Sequence, residues 1–179
     1  MKERTNDILL IAGKILCIAA QAVMVFGGIV LAVVIPAVLL FSPDLAAEAG
    51  MESFPPGFPV AALAGVMAIG LAVVVALFYF FGTLRRIIRT VGEGDPFQPK
   101  NAERLRNMGW LMLATQVLVI PAAALGVYLA QFADEMDDAQ IDVDGGFDLT
   151  GLLLVIILFI LARVFRHGAA MREDLEGTV

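Results

Sequence analysis

A single cysteine, a single histidine and a single tryptophan are spread over 179 residues, and only 17% of the chain is charged. One cysteine, Cys17, excludes an internal disulfide and provides no thiolate spacing for a metal. The lone His167, in "RVFRHGAA", has no cysteine, serine or second histidine beside it to form a dyad. A paired-histidine zinc helix, a nucleophile elbow and a glycine-rich phosphate loop are all missing as well. The chain therefore reads as non-enzymatic, with no catalytic residue, no cofactor and no resident metal.

Hydrocarbon is abundant instead. Hydrophobic residues make up 60% of the chain and the mean hydropathy is +0.88, whereas a soluble domain is roughly half apolar. A helix needs about 20 predominantly apolar residues to cross a bilayer. Segments 15–41, 60–81, 110–132 and 149–165 meet or approach that length. The last is short and already contains Arg163, whose long stem can carry its charge toward the headgroups. The first follows a charged start and an amphipathic entry from Asn6 to Lys14, and its apolar run exceeds a signal peptide's core of about 7 to 15 residues. It reads as a retained span.

Orientation follows from Lys and Arg, which favour the cytoplasmic side. Lys2, Arg4 and Lys14 lie before or at the start of the first span. Arg85, Arg86, Arg89, Lys100, Arg104 and Arg106 lie between the second and third, and Arg163, Arg166 and Arg172 lie at the inner end of the fourth. Outer loops 42–59 and 133–148 contain no basic residue, only acidic ones such as Asp44, Glu48, Asp142 and Asp144. The expected fold is one all-α integral membrane domain, 1–179. It is an antiparallel four-transmembrane-helix bundle with both termini cytoplasmic.

The cytoplasmic elbow, 82–109, contains "GTLRRIIRTVGEGDPFQPKNAERLRNM". The second helix is expected to run beyond the membrane until Gly92 stops it. Pro96 and Pro99 make "GDPFQP" a stiff link. Asn101 is the expected N-cap of the third helix, and Phe97 is expected to plug the groove between the two helix ends. The elbow reads either as a rigid hairpin or as a docking surface.

Small residues let helices approach in lipid. Ala64, Ala68, Ala72 and Ala76 form a four-residue row beside Ala61 and Gly65, which makes the second span the expected central packing helix. Polar residues at membrane depth are few: Lys14, expected to snorkel, and Gln21, Thr115 and Gln116, which could bond one another across helices or line a polar path. His167 reads as an interfacial residue or a pH sensor. The acidic "DVDGGFD" lacks the full ligand alternation of a calcium loop and reads mainly as a solvated loop. The basic face also suits anionic lipid headgroups.

The elbow "GEGDPFQPKNAERLRNMGW" and the ending "VFRHGAAMREDLEGTV" resemble the bacterial membrane proteins grouped as domain of unknown function 2975. The shared pattern falls on Gly94, Pro96, Phe97, Asn101, Leu105 and Arg106. What the resemblance implies, by gene association, is a partnership with a small helix-turn-helix regulator of the Cro/C1 type. Glu173, Asp174 and Glu176 of the tail would meet that regulator's basic helix, or would pair with Arg85, Arg86 or Arg104 of the same chain. Direct nucleic-acid binding is not expected. Two other readings stand beside this one: an oligomeric transporter or channel subunit using Gln21, Thr115 and Gln116, and a structural assembly subunit whose alanine row forms a homo-oligomer face.

Overall fold

The computed structural model describes residues 2–40, 57–133 and 148–176. Most of both acidic loops, 42–59 and 133–148, and with them the question of cation binding at "DVDGGFD", lies outside the described residues, as does the side chain of Glu176.

Four helices account for nearly everything described: α1, Lys2–Leu40; α2, Val60–Gly92; α3, Pro99–Ala133; and α4, Leu149–Glu176. Each is long and apolar enough to cross a membrane. Each also outruns its apolar segment, because the flanking polar stretches keep an apolar stripe at helical spacing. The amphipathic entry and the first span are thus one helix, and "RHGAAMREDLE" continues α4. Pro36 and Pro121 sit inside α1 and α3, which remain helical through both.

The described chain divides into two compact units. The first takes residues 1–25, 76–116 and 148–179. Its core is Ile87, Leu105, Met108, Leu158 and Ala162, with Phe80, Leu84, Met112 and Phe165 packed around it. Trp110 meets Phe159 edge to face at 5.5 Å, the geometry favoured by aromatic quadrupoles. Gly109 makes room for that ring, since a Cβ there would approach Phe159 to 3.2 Å.

The second unit takes residues 26–75 and 117–147 and is packed through small residues. Gly65 faces Leu125, Gly28 faces Val74 and Leu71, and Gly70 faces Leu31. Phe132 meets both Phe58 and Tyr128 edge to face.

The expected alanine row is only partly a packing row. Ala64 is buried in the second unit and Ala76 in the first, but Ala68, Ala72 and Ala61 face outward. A strict four-residue step drifts about 40° per repeat around a helix of 3.6 residues per turn, so four alanines at that spacing do not share one contact line.

Candidate functional site: the elbow and the end of α4

The elbow begins with a helix stop. Gly94 has φ +82°, a conformation that costs any residue with a Cβ about 1 to 2 kcal/mol. The Gly94 amide donates to the Val91 carbonyl and the Asp95 amide to the Thr90 carbonyl, each at 3.1 Å. That pair of bonds is a Schellman cap. The residue that ends the helix is therefore Gly94 rather than Gly92, which remains helical.

α3 begins at Pro99, three residues before the Ala102 start that Asn101 would set as a cap. Proline fits the first helical position because its missing N–H would have no partner there, and the Asn101 amide donates to the Gln98 carbonyl at 2.8 Å. Asn101 is thus already inside the helix, and its side chain is free for another task. Its Nδ2 donates to Thr90 Oγ1 at 2.8 Å and to the Pro96 carbonyl at 2.9 Å. Its Oδ1 accepts from Arg104 Nη1 at 2.8 Å. Thr90 passes its own proton to the Ile87 carbonyl at 2.8 Å. Asn101 is 0% exposed and Thr90 5%, so the centre of this polar chain is sealed inside the elbow, with Arg104 half-buried at its edge, and it joins the end of α2, the turn and the start of α3. Among the described residues no buried side-chain nitrogen or oxygen lacks a partner.

Phe97 does not plug the α2–α3 groove. It reaches α4, where its ring lies 5.4 Å from that of Phe165 and rests on Gly168. A Cβ at Gly168 would come within 2.7 Å of the ring, so glycine is what lets the ring approach the helix this closely. Asp95 adds an ion pair with Arg172. The elbow is thereby tied to the far end of the chain by one apolar and one ionic contact, 77 residues apart in the case of the ion pair. Arg89 and Glu93 form a further exposed pair at 3.2 Å, of the kind worth little to stability.

The other residues singled out in the sequence divide by position. Leu105 is buried beneath the elbow. Arg106 lies outward and, with Glu103, Arg166 and Glu173, lines a groove of about 390 Å³ between α3 and α4. Asp174 is exposed nearby on α4. This groove carries both signs of charge on a small-residue floor of Ala102 and Ala169.

The intramembrane polar residues do not meet one another. Gln21 donates to the Phe78 carbonyl at 3.3 Å, close against Gly82. Thr115 donates to the Met112 carbonyl within its own helix at 2.7 Å. Gln116 donates to the Asp148 carbonyl at 3.0 Å, and its amide fills the space beside Gly151, where a Cβ would collide with it. Since Asp148 immediately precedes α4, that helix begins alongside the middle of α3, which accounts for its short apolar run. Lys14 is exposed, as a snorkelling lysine should be. Among the described residues no group of three His, Cys, Asp or Glu side chains converges as a metal site.

Four helices of membrane-crossing length and apolarity make the chain a multi-pass, all-α membrane protein. It belongs to the family described as protein of unknown function (DUF2975), whose model matches residues 8–179. No curated protein and no solved structure matches it.

Proposed function

We propose that the chain is a non-enzymatic, four-span protein of the bacterial inner membrane, with both termini cytoplasmic. Its elbow and the end of α4 together bind a cytosolic protein, a small helix-turn-helix regulator. The topology is supported by the confinement of Lys and Arg to the termini and the elbow. An antiparallel arrangement is supported by contacts that run in opposite order along neighbouring helices, Gly13 with Ile88 and then Gln21 with Gly82.

The observation that carries the docking role is the sealed Thr90–Asn101–Arg104 network together with the Phe97–Gly168 contact. The six residues that join α2 to α3, 93–98, are within the about 2 to 8 usual for such a connection. They are capped at Gly94, pinned by the buried Asn101 and braced against a third helix, and so hold a fixed shape facing the cytosol. The charged groove with Glu103, Arg106, Arg166 and Glu173 is the surface that shape presents. Asn101 and Leu105 support it from beneath, and Glu173 and Asp174 supply acidic groups for a basic recognition helix. The transport reading has less support, because Gln21, Thr115 and Gln116 spend their hydrogen bonds on carbonyls rather than on a shared path.

Co-purification from detergent tests the proposal, using the tagged full chain, a chain truncated after Ala170, and Arg106→Glu. The regulator is expected to accompany the full chain and to be lost from both variants. A regulator that never co-purifies, or that binds all three forms equally, overturns it.

A further inference from the structure

The second groove at this end of the molecule has a different chemistry. It is about 590 Å³ and is lined by Phe97, Arg163, Val164, His167, Gly168 and Met171. Two of these can donate hydrogen bonds to an anion, none is acidic, and the rest are apolar. Arg163 and His167 are four residues apart on one face of α4, and neither forms an ion pair among the described residues. Asp95, at the same end of the molecule, is engaged by Arg172.

Below the groove the same side of α4 continues as an outward apolar strip. Leu153, Ile156, Ile160 and Val164 recur at three- and four-residue spacing and are 52–59% exposed. In a spanning helix that strip faces acyl chains, and the groove falls where hydrocarbon gives way to headgroups. Arg163 marks that border, because the uninterrupted apolar run of α4 ends at Ala162.

We propose that this groove is a binding site for one anionic phospholipid of the inner leaflet. The Arg163 guanidinium takes the phosphodiester oxygens as a two-pronged donor, and a His167 ring N–H donates to the same headgroup. Phe97 and Met171 wall the glycerol region, and an acyl chain lies along Val164, Ile160 and Ile156. Phe97 has a double use in this arrangement. Resting on Gly168, it braces the elbow and at the same time forms one side of the lipid groove, so an occupied groove holds the brace in place.

The test is native mass spectrometry of the full chain released from detergent, after exchange into micelles containing phosphatidylglycerol or phosphatidylcholine with identical acyl chains. Glycerol phosphate is added in a separate arm as a free headgroup. One phosphatidylglycerol is expected to stay on the wild type at least tenfold more than phosphatidylcholine. The double variant Arg163→Gln/His167→Gln should lose that preference, whereas Arg166→Gln, on the other groove, should keep it. Gly168→Ala, which displaces the Phe97 ring, should weaken retention while leaving both hydrogen-bond donors in place.

Equal retention of the two lipids, or undiminished preference in the double variant, overturns the proposal. Loss of equal size in Arg166→Gln overturns it in favour of diffuse surface charge. Full competition by glycerol phosphate overturns the lipid in favour of a soluble phosphate ester. If the double variant instead dissociates an oligomer without changing the lipid count, the groove belongs to a second copy.

Discussion

The two compact units are held together by different chemistry. In the first, large side chains and a buried hydrogen-bond chain do the work: Met108 and Asn101 are the most deeply buried large residues among those described, Phe97 and Phe159 pack against Gly168 and Gly109 of facing helices, and Phe97 also meets the Phe165 ring. In the second, the fully buried hydrophobic residues among those described are Ala64 and Leu129, and contact is made largely by glycine against Leu or Val. Lipid offers no hydrophobic force between helices, so a purely apolar region must rely on close approach. A region that reaches water can instead use caps, amides and ion pairs to fix one geometry. The specific shape of this protein is therefore concentrated in the first unit, as expected if recognition happens there.

That contrast can be broken by substitution, and the effects should fall in a definite order. Asn101→Ala is the most damaging, because it leaves the Pro96 carbonyl and the Arg104 and Thr90 groups without their buried partner. A loss of about 3 kcal/mol is expected, the scale of one or two unpaired buried polar groups, read as a lowered unfolding midpoint in mixed detergent micelles. Gly168→Ala comes next at about 1 to 3 kcal/mol, the cost of overpacking against the Phe97 ring. Its signature is faster proteolysis within the elbow.

Gly94→Ala should cost about 1 to 2 kcal/mol through its left-handed backbone alone, leaving the far end of α4 undisturbed. Gly27→Ala sits at the bottom of the series. Nothing lies within 4 Å of the added Cβ, so the helix gains about 1 kcal/mol of propensity, and thermal unfolding should be unchanged or slightly later. A Gly27→Ala loss as large as that of Gly168→Ala would remove the distinction between the units.

Much of the fold was legible because apolar run length is a one-dimensional signal. The four spans could be read that way, and the two prolines of "GDPFQP" marked the link after α2. What could not be read were choices between neighbouring residues of similar type. Gly92 and Gly94 both offer a stop, and only the cap geometry separates them. Asn101 looks like a cap because asparagine caps well, but Pro99 at the first helical position was a competing signal of equal standing, and it wins. That choice releases the Asn101 amide to build the network.

Pairings distant in sequence were beyond reach altogether. Nothing in "DPFQP" names Gly168 as the place where Phe97 lands, or Arg172 as the partner of Asp95. Nothing around Gln116 points to the backbone preceding α4. The alanine row misled for a geometric reason, since its spacing drifts around the helix.

The elbow, with its braced α4 end, is proposed to face the cytosol as a fixed platform. Labelling by a membrane-impermeant maleimide in intact cells tests this, on a Cys17→Ala background, with a single cysteine placed at Lys100 or at Ala139. Ala139→Cys should react at once, while Lys100→Cys should react only after the cells are opened. Immediate reaction at Lys100→Cys with protection at Ala139→Cys would contradict it.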